Sequence, residues 1–212
     1  KMRASSYLMA TCLSRYGGVY MPYPGGCNFG SRPIEQHIKG FAMLGADCNM
    51  TDDFVSIKSL HELVGTKITL DKISVGATIN MVLASVLASG STLIENIAIE
   101  PHVLDLISFL NISGANIQII GNSALVKGVP SLKGIRYRIY SDTIEALTFV
   151  TCIGAAGGEG FLSNAEYDHI KPFLSLFESM KISIRYSNGK IAVKCLSAPT
   201  GANVTTGPYP KF

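Results

Sequence analysis

Only 16% of the 212 residues are charged, and they include no run of lysine or arginine and no ladder of interleaved aromatics. Nucleic-acid binding leaves a concentrated basic footprint, so it is not expected here. The five cysteines, Cys12, Cys27, Cys48, Cys152 and Cys195, are odd in number, scattered, and contain no CxxC pair. That pattern disfavours a disulfide framework and a structural zinc site, and points to a reducing cytoplasm. His37, His61, His102 and His169 lack ligand spacing such as HxxxH, so no metal is expected. The longest apolar stretches, "SVGATINMVLASVLASG" and "ALTFVTCIGAAGGEGFL", are too short for a bilayer or are broken by Asn80, Ser85 and glycines. No signal peptide and no membrane association are expected. The chain opens on "KMRASS" without an initiator and continues at once as ordered protein, which reads as an internal fragment.

What is present suits a folded domain with a small anionic ligand. Apolar residues make up 47% of the chain and the formal charge is +3, enough for a real core with a mildly basic surface. The most informative feature is an internal repeat, a unit of roughly 70 residues that recurs three times. In the second copy, "DKISVGATINMVLASVLASGSTLIEN" predicts a helix, a glycine stop and a strand. "EPHVLDLISFLNISGANIQIIGNSALVKGV" then predicts a second helix and a two-stranded hairpin. The first copy repeats this order from "RASSYLMATCLSRYGGVYM", and the third from "SDTIEALTFVTCIGAAGGEGFLSN".

Each second helix carries apolar residues at helical spacing: Ile34, Ile38 and Phe41; Val103, Ile107 and Leu110; Ile170, Phe173, Leu174 and Phe177. Pro33 and Pro101 fit a first helical turn, while Gly45 and Gly114 fit a left-handed stop. "SNG" at 187–189 is a tight-turn sequence between two alternating strands. The fold class is therefore α/β (α+β), built from repeated βαβαββ units. Such a unit cannot cover its own sheet and helices, so several are expected to share a helical core with the sheets facing solvent.

Two short stretches suggest chemistry. In "YPGGCNFGSRP", residues 23–33, Gly25, Gly26 and Gly30 relax the backbone, and a loop of this kind can open for a ligand and close over it. A thiol at its tip, Cys27, can donate a proton or act as a nucleophile, particularly beside Arg32 and bound anions. A buried structural thiol is the commoner fate of a free cysteine. In "DKISVGAT", a helix opening near Ser74 offers unpaired N–H groups, and Gly76 lets an anion approach the backbone. Ser74 alone fits a plain N-cap, and Lys72 shifts the reading toward an anion.

"PGGCNFGSRPIEQHIKGFAMLGA" together with "DKISVGATINMVLASVLASGSTLIENIAIEPHVLDLISFLNISGA" resembles the UDP-N-acetylglucosamine enolpyruvyl transferase (1-carboxyvinyltransferase) family, from "MRAS" at the start to "GPYPKF" at the end. The resemblance implies the inside-out α/β barrel, with two repeat units of the cysteine-loop domain in residues 1–138 and one unit of the second domain in residues 139–212. It implies that Cys27 acts on phosphoenolpyruvate as general acid and site of adduct formation, and that Arg32 contacts the phosphate. It carries the uridine site to Pro33, Ile34, Glu35 and Gln36, and the diphosphate site to Lys72, Ser74, Val75 and Gly76. Arg3 matches an arginine that also contacts substrate. No cofactor is implied, and the 212 residues alone are expected to be inactive, with exposed helix faces that favour self-association.

Other readings stand beside this one. The shikimate-pathway enolpyruvyl transferase shares the fold but lacks the cysteine loop. A catalytically silent paralogue would keep the nucleotide site. Ile99 and Thr143 stand where relatives usually carry arginine, which bears on that last possibility. Glu95, Glu100 and Asp105 form no convincing acid–base cluster, since Glu100 beside Pro101 suits a helix N-terminus.

Overall fold

The fold is that of a computed structural model, which describes residues 2–26 and 33–211. They form two compact units, one running up to Ile99 and joined by Val103–Tyr137, the other comprising Glu100–His102 and the chain from Arg138 onward. No helix among the described residues is long and apolar enough to cross a membrane.

The first unit opens with a 3-10 turn, Arg3–Ser6, followed by α1 (Tyr7–Tyr16) and β1 (Gly18–Pro22). Gly17 ends α1 at φ +75°, the left-handed conformation that a residue without Cβ adopts freely. Next come α2 (Glu35–Met43) and the hairpin β2 (Asp47–Met50) and β3 (Phe54–Lys58). The second copy adds β4 (Lys67–Thr69), α3 (Val75–Ser85), β5 (Ser91–Glu95), α4 (Pro101–Ile112), β6 (Asn116–Ile120) and β7 (Ser123–Lys127). This is the βαβαββ order expected from the sequence.

The sheets show the repeat most clearly. Their strand orders are β1-β3-β2 and β4-β5-β7-β6, so in both copies the last hairpin strand lies between its partner and the strand after the first helix. Among the strands of the described residues, β4 pairs with β5 in parallel and the other pairings are antiparallel. Both sheets alternate: Val55 and Ile57 are buried in β3, and Thr92 and Ile94 in β5, while their neighbours face outward or are half-buried. The inner faces close on helices. α3 packs against α1 and α2, and Ala77, Thr78, Ile79, Asn80, Met81 and Val82 are all buried. A helix enclosed on several sides has to be apolar nearly all round, which explains the run "INMVLA". Gly40 of α2 makes the close approach possible, since a Cβ there would lie 2.1 Å from Met81 Sδ.

Pro33 corrects one expectation. α2 begins at Glu35 with Ile34 in the cap position, so Pro33 lies before the helix and not in its first turn.

The second unit contains α5 (Thr143–Ala156), β8 (Gly158–Leu162), α6 (Tyr167–Ile170), a 3-10 turn Lys171–Phe173, α7 (Leu174–Ser179), β9 (Ser183–Ser187) and β10 (Lys190–Cys195). Its strand order, β8-β10-β9, repeats the pattern of the first unit. Asp142 caps α5, its Oδ1 accepting from the N–H groups of Ile144 and Glu145. The helix expected over 170–177 is broken at Pro172, which has no N–H to continue the ladder. Its apolar face survives, with Ile170, Phe173 and Phe177 buried against Val150, Ile182 and Ile191. Asn188 and Gly189 both take positive φ, the geometry of the predicted hairpin turn.

Candidate active site

The start of α3 is built by one serine. Ser74 is extended, and its Oγ accepts from the N–H of Ala77 at 3.3 Å. The N–H groups of Val75 and Gly76, in the first turn, have no acceptor within the helix. They and the positive end of the helix dipole favour an anion. Gly76 has a second reason to lack a side chain, because a Cβ there would lie 3.2 Å from Cε1 of His37.

The preceding turn is tied to the start of α2. The backbone N–H of Lys72 donates to Gln36 Oε1 at 3.0 Å, joining the two segments to which the family resemblance carried the expected uridine and diphosphate sites. Beside this bond, Lys39 and Asp71 form an exposed ion pair at 2.7 Å. Lys72 is itself exposed. Arg3 reaches the same neighbourhood, its Nη2 donating to the carbonyl oxygen of Pro33 at 3.4 Å. Glu35 is exposed and Gln36 half-buried, whereas Ile34 is fully buried, so its side chain belongs to the core and its backbone alone is placed to meet a ligand. Cys27 and Arg32 lie outside the described residues.

Below this surface lies a polar contact that the sequence did not single out. His37 is buried, and its Nδ1 lies 2.6 Å from Asn80 Nδ2, which also donates to the carbonyl oxygen of Ser6 at 3.2 Å. Burial and the nearby positive charge of Arg3 push the imidazole pKa down to about 4. The ring is therefore neutral near pH 7. In the sequence Asn80 shows only as a break in an apolar run; an amide on an enclosed helix is the available signal.

Glu95 and Asp105 have partners within the fold. Glu95 accepts from Lys67 at 2.8 Å and Thr69 at 2.7 Å, contacts that hold its pKa below the usual range. Asp105 accepts from the Tyr137 hydroxyl at 2.6 Å. Ile99 packs half-buried against the first unit's core, and Thr143 is the first residue of α5. Among the described residues, no three His, Cys, Asp or Glu side chains group as metal ligands.

Comparison with known proteins gives a consistent result. The sequence profile of the EPSP synthase (3-phosphoshikimate 1-carboxyvinyltransferase) family matches residues 1–212. The chain is 43% identical over its whole length to a UDP-N-acetylglucosamine 1-carboxyvinyltransferase of Clostridium botulinum, covering 51% of that protein. It is 41% identical to UDP-N-acetylglucosamine 1-carboxyvinyltransferase 2 of Clostridium acetobutylicum, again covering 51%. The chain thus spans about half the length of the curated relatives it matches. Among solved structures, the enolpyruvyl transferase NikO from Streptomyces tendae superposes with a TM-score of 0.74 at 19% identity, over 92% of this chain and 48% of NikO. An EPSP synthase from Acinetobacter baumannii gives 0.66 at 21%, over 92% of this chain and 45% of that one. At these identities the structural likeness speaks to the fold alone.

Proposed function

The chain belongs to the EPSP synthase family of enolpyruvyl transferases, and from that premise we propose that the protein transfers the enolpyruvyl group of phosphoenolpyruvate to the 3-hydroxyl of UDP-N-acetylglucosamine. The acceptor hydroxyl gives up its proton as its oxygen bonds to C2 of phosphoenolpyruvate, while C3 takes up a proton. Loss of a proton from C3 and cleavage of the bond between C2 and the phosphate oxygen then restore the double bond and release phosphate. The reading makes the protein a transferase of peptidoglycan synthesis, acting in the cytoplasm and serving cell-wall growth, cell shape and division.

The observation that carries the reading is the junction at Gln36 and Lys72, where the segments assigned to uridine and diphosphate are hydrogen-bonded beside the open first turn of α3. Two curated relatives with that acceptor sugar in their names support it at 43% and 41% identity. In this scheme Pro33, Ile34, Glu35 and Gln36 hold the uridine. Lys72, Ser74, Val75 and Gly76 hold the diphosphate, and Arg3 adds charge nearby. Cys27 protonates the methylene carbon, and Arg32 binds the phosphate. Fixed donors and helix ends facing the developing charge require no organic cofactor or metal.

Exposed apolar side chains support self-association of the 212 residues by themselves: Leu8, Ile112, Ile144 and Phe149 are all more than half exposed. Calorimetric titration of UDP-N-acetylglucosamine into the full-length protein, followed by a turnover assay, tests the proposal. Binding with phosphate release supports it, whereas binding without turnover identifies a silent nucleotide binder.

A further inference from the structure

We infer that Asn80 and His37 form a positioning unit for the nucleotide, a buried polar knot that holds the segments bearing Arg3, Gln36 and Lys72 to Gly76 in one register. The inference rests on the proposed function, since it assigns the knot to that site. Asn80 is fully buried on α3 between Ile79 and Met81. Its Nδ2 carries two hydrogens and has two acceptors, the Ser6 carbonyl at 3.2 Å and His37 Nδ1 at 2.6 Å. Ser6 ends the 3-10 turn that begins at Arg3, and His37 follows Gln36 in the first turn of α2. One amide therefore bridges the three elements that carry the candidate nucleotide residues. A leucine of similar volume would pack in this helix without the cost of burying an amide, so the amide's contribution lies in its directed bonds.

The Ser6 carbonyl fixes the direction of the amide. Turning Asn80 over would set Oδ1 against that carbonyl oxygen, two acceptors facing each other. With Nδ2 donating, His37 Nδ1 must accept, and the neutral ring carries its proton on Nε2. Nε2 and Cε1 form the edge turned toward Gly76, where an added Cβ would lie 3.5 Å and 3.2 Å from them. His37 thus braces the first turn of α3 from below. Among the described residues, Arg3 is the charged group whose field reaches the ring, and it opposes a second proton there.

The test uses the full-length protein, with UDP-N-acetylglucosamine and UDP as separate calorimetric probes and thermal unfolding measured alongside. No binding by the unaltered protein overturns the functional reading and this inference with it. If the unaltered protein binds, His37→Leu removes the acceptor for Asn80, whereas His37→Asn supplies one. His37→Leu is expected to weaken binding about tenfold and His37→Asn less than about threefold, with the loss in KM for the sugar nucleotide and little in kcat. Unchanged affinity in His37→Leu, or equal losses in both variants that track their unfolding temperatures, overturns the inference. Asn80→Asp gives a second readout should His37→Leu fail to fold. Its carboxylate accepts from Nδ1–H and draws a proton onto the ring, so KM gains a pH dependence near neutrality beyond that of the unaltered protein. Identical pH profiles overturn the inference.

Discussion

The backbone N–H of Lys72 donates to Gln36 Oε1 at 3.0 Å, so one side chain on α2 sets the position of the turn leading into α3. The two residues should respond differently to substitution. On the proposed assignment, Lys72→Ala removes a charge-assisted contact to the diphosphate and is expected to weaken nucleotide binding by about 1.5 to 3 kcal/mol. Its unfolding temperature should hardly move, because the side chain is exposed. Gln36→Leu leaves the Lys72 charge in place and loosens the turn, with an expected loss of about 0.5 to 1.5 kcal/mol. Calorimetric titration separates the two. A large loss of stability in Lys72→Ala with unchanged affinity would assign that residue to the fold.

Gly40 and Met81 test the packing of α2 on α3. A Cβ at position 40 would lie 2.1 Å from Met81 Sδ and 2.9 Å from Cε, with Met81 fully buried. Gly40→Ala is expected to destabilise by about 1 to 3 kcal/mol through overpacking. Met81→Ala alone should cost about 2 to 5 kcal/mol by opening a cavity. The double variant should cost less than the sum, since each change makes room for the other. Strict additivity in urea unfolding would show that the two sites do not share this contact.

The fold was legible where periodicity and stop signals agreed. Val103, Ile107 and Leu110 mark the buried face of α4, and Gly45 and Gly114 take the positive φ that their positions implied. Boundaries were less legible, because Pro33 and Pro172 act on the backbone in ways that apolar spacing does not report. At the candidate site, Ser74 and Gly76 were visible through helix-start chemistry. The His37–Asn80 contact was not, because it joins residues 43 positions apart and depends on how two helices pack. The double constraint on Gly76, access for an anion and room for His37, was hidden for the same reason.

Acid stability should report the buried imidazole. The His37 pKa lies at about 4 in the fold against 6.5 ordinarily, so between these values the unfolded chain binds more protons. Stability is then fully present above pH 6.5 and falls as the pH drops toward 4, levelling below that. The full effect is about 3 kcal/mol. His37→Gln should flatten this window in urea unfolding measured at several pH values. An unchanged slope would mean that other groups govern it.

Cys27 is expected to be the thiol alkylated by an epoxide mimic of phosphoenolpyruvate when the sugar nucleotide is bound. The competing thiols differ in access: Cys152 is exposed, Cys12 and Cys48 are half-buried, and Cys195 is buried. Burial and the neighbouring Asp47 charge push the Cys48 thiol up to about 11. A reagent governed by exposure alone would therefore favour Cys152. Peptide mapping that finds the adduct chiefly on Cys152, or spread over all five cysteines, would remove Cys27 from its proposed role.

Phosphate release by the full-length protein, measured with phosphoenolpyruvate and each acceptor in turn, tests the central claim most directly. The account predicts release with UDP-N-acetylglucosamine, none with 3-phosphoshikimate, and loss of release in Cys27→Ala. Release with 3-phosphoshikimate alone, or tight binding of the sugar nucleotide with no release, would contradict it.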